Sequence, residues 1–424
     1  MKIVMFTNSY LPMVGGVAGS VDRFSSVMRD NGHKVRIVAP TYDDAPEPGG
    51  DDEVYRISAM ENFDGSDFSV VLPVNFGLND WLDDFEPDLV HSHHPFLLGN
   101  VAVRYASSRG LGLVFTHHTM YEHYTHYIPV DVDRMGRYAI SMSTGYANFC
   151  DVVLAPSEST AEIIRSRGVK VPVRVAPTGV DIEQYEDGDG SACRKRLDIP
   201  PDVRLIGTVG RLAPEKNLEF LARAAAETLR KDARLWFLAV GSGPSSEKMT
   251  GIFESAGVAD RVRFAGVLKD QQLIDAYHAL DLFAFASKTE TQGMVLVEAL
   301  AAGCPIVALD APGAREVVDD GHNGRLLHDE NAGQFAAAIA DLLDQPDHEI
   351  AVLSRRARAS AEPFETHRCV ARVEEVYRQM LAGEVHRKPV PENEWQQWIE
   401  SLRREWEIWA NRLRSIGDAL KSRD

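Results

Sequence analysis

The sequence predicts two doubly wound α/β domains, each a mostly parallel sheet between layers of helices, and three observations lead there. The chain has 424 residues, 44% of them apolar, too long for one ordinary core and rich enough for two. Short β-branched runs alternate with helix-length segments from end to end. One polar stretch, residues 181–201 with EDGDG and a Pro-Pro pair, interrupts the alternation and reads as an interdomain linker.

In chain order, KIVMF (2–6), KVRIVA (34–39), DLVHSH (88–93), LGLVFTHH (111–118) and VVLAPS (152–157) have the near-continuous apolar character of strands buried on both faces. After the linker come RLIGTVG (204–210), RLWFLAVG (234–241), RVRFAGV (261–267), LFAFAS (282–287) and PIVAL (305–309). Segments such as 20–30, 217–231 and 273–280 supply helices between them, and the domain boundary falls near residue 190. The acidic stretch 43–53 reads as a solvated loop.

A net charge of −18 excludes a protein that wraps nucleic acid, which needs a basic face. Four widely spaced cysteines (Cys150, Cys193, Cys304, Cys369) fit neither a disulfide scaffold nor a Cys-rich zinc site, so a reducing cytoplasm is the expected location. The first apolar run is too short for a signal-peptide core, and no stretch approaches 18 apolar residues.

The segment from Glu290 to Glu298 follows the strand run LFAFAS and opens a helix. A helix starting there aims free N–H groups at the carboxyl edge of its sheet, where doubly wound folds bind ligands, and Gly293 and Met294 can offer such donors to an anion. Glu290 and Glu298 lie a little over two turns apart and can accept hydrogen bonds from sugar or ribose hydroxyls. The plainer alternative makes Glu290 a first-turn acid and Glu298 a solvated helix residue.

E-x7-E after such a strand, with A-x-G-x-P-I-V beyond it, resembles the signature of the retaining GT-B glycosyltransferases of family 4, also called glycosyl transferases group 1. GGV (15–17), APTGVD (176–181), VGRLAPEKN (209–217), GSGP (241–244) and NGRLL (323–327) match that family in order, over about residues 1–380. The resemblance implies a GT-B fold, with two Rossmann-like domains facing a central cleft and a C-terminal helical extension. Residues 1–190 would bind the acceptor and 191–365 the nucleotide-sugar donor, with 366–390 a helix crossing back to the first domain. It further implies that Arg211 and Lys216 straddle the donor diphosphate in place of a metal, that Glu290 and Glu298 hold the sugar and the ribose, and that Gly293 and Met294 donate to the distal phosphate. Gly15 and Gly16 would let the backbone approach the donor, and His118, in H-H-T, would contact the donor sugar near its reacting carbon.

Seven of the fourteen histidines lie between His91 and His126. A zinc site is disfavoured because the two histidine blocks end different strands and no H-E-x-x-H occurs. The triplets Asp131-Val-Asp133 and Asp187-Gly-Asp189 sit at no strand end, so neither reads as a metal motif. HSHHPFLLG, THHTMYEHYTHYIP and KTETQG look most like the family branch that glucosylates diacylglycerol, from UDP-glucose, at the inner face of the plasma membrane. Tyr121, Tyr124 and His126 are the acceptor-side candidates, and basic residues from Arg104 to Arg174 offer a local patch despite the acidic whole. A soluble sugar acceptor stays open, as does a non-catalytic nucleotide-sugar-binding protein. A dinucleotide-dependent oxidoreductase is disfavoured because residues 241–246 lack the third glycine of G-x-G-x-x-G.

Residues 391–424 hold four of the six tryptophans. Trp395, Leu402, Trp409 and Ile416, with Ile399, Trp406, Leu413 and Leu420, form a heptad seam that predicts a helix, serving either a homo-oligomer or packing on the chain's own body.

Overall fold

The computed structural model describes residues 1–13, 15–42, 49–50, 52–60, 70–71, 77–123 and 132–385, with 407, 411 and 415 beyond them. The chain divides into two compact units, Met1–Gly179 with Thr366–Asp424, and Val180–Glu365.

The first unit is built on strands β1 (Lys2–Phe6), β2 (Lys34–Pro40), β3 (Gly49–Gly50) and β4 (Val54–Ile57), a small ribbon of β5 (Ala59–Met60) and β6 (Val70–Val71), then β7 (Leu89–Ser92), β8 (Gly112–Thr116), β9 (Val152–Ala155) and β10 (Val173–Val175). The sheet order is β10-β9-β8-β7-β1-β2-β4-β3, parallel except for the two-residue edge strand β3. Its helices are α1 (Gly16–Asp30), α2 (Leu78–Phe85), α3 (Leu98–Arg109), α4 (Val132–Ala147) and α5 (Glu158–Ser166). The central strand β1 shows why the run reads as apolar throughout. Val4 and Phe6 enter one core with Leu98 and Tyr146, while Ile3 and Met5 enter the other with Val21 and Phe24. A parallel strand covered on both faces has no solvent side to leave polar.

The second unit begins with α6 (Gly190–Arg196) and alternates β11 (Arg204–Val209), α7 (Leu218–Lys231), β12 (Leu235–Val240), α8 (Ser246–Ser255), β13 (Val262–Gly266), α9 (Asp270–Ala279), β14 (Leu282–Phe285), α10 (Met294–Ala301), β15 (Ile306–Leu309), β16 (Gly324–Leu327), α11 (Ala332–Leu343) and α12 (Asp347–Ala361). All six strands run parallel in the order β13-β12-β11-β14-β15-β16. Adjacent residues again part between two cores, Leu205 to one and Ile206 to the other. The last helix of the domain pair, α13 (Thr366–Leu381), belongs to the first unit, burying Val370, Val373, Tyr377 and Met380 beside Ile3 and Met5.

Three expectations change. The division falls at residues 179 and 180, not near 190, because Val180 pairs with Glu365 and Tyr185, Cys193 and Ile199 are buried in the second unit's core. The polar stretch 181–201 is therefore structured. Asp189 of its second D-x-D triplet caps α6, accepting from Ala192 N at 2.9 Å, and Arg194 donates to Ala279 O and to Asp281 at 2.8 Å each. Within the acidic stretch 43–53, read as a loop, Gly49–Gly50 form β3, paired with β4, while Asp52 and Glu53 are exposed. Among the described residues no helix is long and apolar enough to cross a membrane.

Of the tail, Glu407, Asn411 and Ser415 are helical, and Asn411 and Ser415 are buried. Asn411 Nδ2 donates to Met142 O at 3.2 Å and Ser415 Oγ to Ser141 Oγ at 3.3 Å, so these residues lie on α4 of the same chain. The seam residues Trp395 to Leu420 lie outside the described residues. A side chain at Gly145 would begin 1.8 Å from Asn411 Oδ1. Gly145→Leu is therefore expected to expel Asn411 from α4, seen as faster tryptic release of fragments beyond residue 385 while the thermal midpoint of the body stays within a few degrees. Unchanged cleavage would mean that the contact does not hold the tail.

Candidate active site

In the second unit the site residues come from the loops at the carboxyl ends of β11 and β14. The loop after β11 runs Gly210-Arg211-Leu212, and residues 241–243 cross directly over it: a Cβ at Gly241 would meet Gly210 O at 1.9 Å. Only a glycine permits that approach. Pro214–Lys216 then forms a 3-10 turn that sends Glu215 inward and Lys216 outward. Glu215, its side chain 2% exposed, accepts from Arg211 Nη2. Its carbonyl accepts from Ser287 Oγ at 3.4 Å and Thr289 Oγ1 at 3.3 Å, joining the loop after β11 to the loop after β14.

This junction sets the next contact. Lys216 Nζ donates to Glu290 Oε1 in a partly buried ion pair. Three residues on, Gly293 takes φ 73° to start α10 with no side-chain cap, leaving the first-turn N–H groups of Gly293 and Met294 without intrahelical acceptors. Further along α10, Glu298 Oε2 accepts from Tyr277 OH at 2.7 Å. Burial first, and then the Glu298 charge, hold the Tyr277 hydroxyl well above its ordinary pKa, so it stays a donor. The structure thus brings Arg211, Lys216, Glu290, Gly293 and Met294 onto two neighbouring loops, with Glu298 held from α9. Two cations, two carboxylates and a helix N-terminus make a place for an anionic, hydroxyl-rich ligand.

In the first unit Gly15, extended at φ 178°, and Gly16 open α1, both exposed, and a Cβ built on either meets nothing within 4 Å. Neither packing nor backbone conformation requires glycine there. The histidine blocks end the adjacent strands β7 and β8. His91 Nε2 lies 2.7 Å from Thr116 Oγ1 and its Nδ1 2.6 Å from Tyr377 OH, while His93 Nδ1 lies 2.9 Å from His118 Nε2. Asn8 N donates to His94 Nδ1 at 3.0 Å. Burial pushes His91 and His94 down to about 3 and His117 to about 4, and burial with neighbouring imidazoles takes His93 and His118 well below the usual histidine range. The cluster is neutral at pH 7. Among the described residues no three His, Cys, Asp or Glu side chains are grouped to hold a metal ion.

Tyr121 is half-buried with its ring 5.3 Å from Phe96, whereas Tyr124, His126 and Asp131 lie outside the described residues. Several of the basic residues expected to form a patch are paired with acids: Arg109 with Asp83, Arg165 with Glu158 and Arg167 with Glu122. Sequence reasoning missed Glu215, Tyr277 and His93. Glu215, four residues after Arg211, had a weak spacing signal, and Tyr277 had none.

The family description Glycosyltransferase Family 4 fits residues 14–184, and Glycosyl transferases group 1 fits residues 191–360. The chain is 28% identical over 381 residues to the alpha-monoglucosyldiacylglycerol synthase of Streptococcus pneumoniae, covering 86% of this chain and 83% of that one. It is 33% identical over 307 residues to the D-inositol 3-phosphate glycosyltransferase of Acidothermus cellulolyticus, covering 70% and 68%. The crystal structure of Anabaena Alr3699/HepE in complex with UDP superposes with a TM-score of 0.71 at 20% identity, over 89% of this chain and 100% of that one, a likeness of fold.

The buried neutral histidines set a pH dependence. Each takes a proton more readily unfolded, near 6.5, than folded, so the unfolded state binds more protons below pH 6.5 and stability falls as pH drops from there toward 4. At pH 5 each of His91, His94 and His117 is expected to cost about 1–2 kcal/mol. Urea midpoints at pH 7.5 and 5 check this, and His91→Gln should shrink the difference by one such step. An equal difference in both proteins would show that His91 is protonated as easily folded as unfolded.

Proposed function

Because this chain belongs to glycosyltransferase family 4, and so is a GT-B glycosyltransferase using a nucleotide-sugar donor, we propose that it moves a hexose from UDP-glucose to a lipid hydroxyl such as that of diacylglycerol, with retention of configuration and without a metal ion. The observation that carries the reading is the Lys216–Glu290 pair set between Arg211 and the start of α10. As the glycosidic bond breaks, charge gathers on the leaving diphosphate, and two fixed cations with the N–H groups of Gly293 and Met294 meet it where a metal would otherwise serve. Lys216 has three donors, so it can hold Glu290 and a phosphate oxygen together. Glu290 then orients the transferred sugar, Glu298, held by Tyr277, takes the ribose hydroxyls, and His118 contacts the sugar as a neutral imidazole.

Retention follows, in this reading, from a front-face displacement in which the leaving diphosphate accepts the proton of the acceptor hydroxyl. Gly15 and Gly16, exposed at the start of α1, would admit the donor phosphates in this reading. Support for a lipid acceptor comes from the diacylglycerol-directed relative, similar over 86% of the chain, and from the Tyr121–Phe96 aromatic pair. The four free, buried thiols fit a reducing compartment, and a lipid acceptor puts the enzyme on the cytoplasmic face of a membrane. The 33% identical inositol-phosphate-directed relative favours a second reading, transfer to a soluble sugar-like acceptor.

Product analysis with uridine and guanosine diphosphate sugars against diacylglycerol vesicles and soluble sugars separates these readings. Glucosyl-diacylglycerol formed from UDP-glucose alone is the expected product. Lys216→Ala and Glu290→Ala should each lower kcat/KM by about 10- to 150-fold, the loss of one charge-assisted contact. Product from soluble acceptors alone would move the reading to the second, and full turnover in both variants would sink the site.

A further inference from the structure

We propose that Gly313, in the connection from β15 to β16, is a positioning residue for the distal phosphate of the donor. Its missing side chain lets the loop after β15 close on the backbone of Gln292, and that contact fixes the aim of the Gly293 and Met294 N–H groups. The proposal rests on the reading of those two groups as phosphate donors.

Gly313 is buried and lies in the left-handed region at φ 80°. A Cβ placed on it would stand 2.8 Å from Gln292 N and 3.0 Å from both Gln292 C and Gln292 Cα. Non-bonded carbons settle at about 3.5–4.0 Å, so a methyl group there must open the gap by roughly half an ångström or more. The atoms it meets are main chain, and Gln292 is the residue before Gly293. The contact continues forward, because Gly313 O lies 3.9 Å from the Cβ position of Gly293.

Neither side of this contact can recoil. On the β15 side, Ala311 and Ala314 are buried, and Ala311 O accepts from Ala314 N at 3.1 Å and from Arg315 N at 3.2 Å. Asp310 holds the same turn, accepting from Arg315 Nε at 2.8 Å with His328 Nδ1 at 2.9 Å. On the α10 side, Gln292 is buried, a Cβ on Gly293 would stand 2.8 Å from Leu296 Cδ1, and Leu296 and Val297 belong to the core. A displacement at Gln292 therefore passes to the start of α10. The first N–H groups of a helix have no intrahelical acceptor to re-aim them. Such donors act within about 2.7–3.1 Å of the oxygen they serve, a window that a shift of roughly half an ångström leaves. Glu298 is anchored separately, by Tyr277 of α9, so the loss falls on the phosphate end of the donor.

Calorimetric titration of the full-length protein with UDP and UMP, and with GDP and GMP, gives its preference for a diphosphate on whichever base binds. In the wild type the diphosphate is expected to bind more tightly. Gly313→Ala should weaken it by about 10-fold or more, the loss of one charge-assisted contact, with the monophosphate changed by less than about 2-fold. Gly321→Ala is the control: its φ is 76° and nothing lies within 4 Å of its Cβ position, so it carries the backbone strain without the contact and should keep the wild-type preference. An unchanged preference in Gly313→Ala overturns the proposal, and so does an equal loss in Gly321→Ala. A wild type with no diphosphate preference fails the phosphate reading itself, and the proposal with it. Should Gly313→Ala not fold, hydrogen exchange of the wild type decides. The diphosphate, compared with the monophosphate, should slow exchange in both 289–296 and 311–316. Slowing confined to 289–296 overturns the proposal, and slowing in neither fails the phosphate reading.

Discussion

Glu215 has almost no contact with solvent, and a carboxylate so placed is tolerable only when cations and donors compensate its lost hydration. Arg211 compensates one of its oxygens, and the backbone carbonyl of Glu215 accepts from the hydroxyls of Ser287 and Thr289. One residue thus fixes the Arg211 guanidinium and ties the loop after β11 to the loop after β14. Lys216 follows Glu215 in the chain, and Glu290 follows Thr289, so their pairing is a consequence of that junction. Without it, both loops would be free to separate and the cations would have to be ordered anew at each binding event.

The first unit gathers its candidate site residues by the opposite means. Histidines at the ends of β7 and β8 are buried beside a sheet edge, and desolvation keeps them uncharged. Neutral imidazoles add hydrogen-bonding capacity without charge, which suits contact with sugar hydroxyls more than contact with phosphate. The cost is a stability that depends on pH, because the unfolded chain protonates where the folded one resists. Tyr377 makes α13 part of this arrangement: a helix from the far end of the sequence fixes His91, whose ring supports His93.

The doubly wound architecture was legible because the long strands β1, β2, β8, β11 and β12 are largely buried on both faces, so local composition already carries the tertiary environment. Short strands at or next to the sheet edges were not. β4, β10 and β16 have three or four residues each, and β10 exposes Arg174, so their composition resembles that of loops. The stretch 181–201 misled for a related reason: its polar majority hides three buried residues, Tyr185, Cys193 and Ile199, that attach it to the second core. At the candidate site, the residues proposed to meet a ligand stood out through spacing, whereas those that hold them did not. Tyr277 reaches Glu298 from a different helix, and no pattern within either segment records that meeting. His93 stood in view within HSHH, but its pairing with His118 depends on the lateral alignment of β7 with β8, which is a property of the sheet.

One carboxylate close to the histidine cluster in sequence bears on mechanism. A double displacement needs an ionised, unencumbered carboxylate at the reacting carbon to form a covalent sugar intermediate. Glu122 follows His118 by four residues and is mostly buried, but it is bound to Arg167, with His123 Nε2 at 3.9 Å. A carboxylate held by a guanidinium has its lone pairs engaged, which makes it a poor nucleophile. In the second unit, Glu290 is engaged by Lys216, the same cation assigned to the leaving group. A step in which the carboxylates orient and the diphosphate takes the proton asks nothing of Glu122, and it uses the Lys216–Glu290 pair as it stands. That economy is the physical ground for favouring front-face displacement over a covalent route.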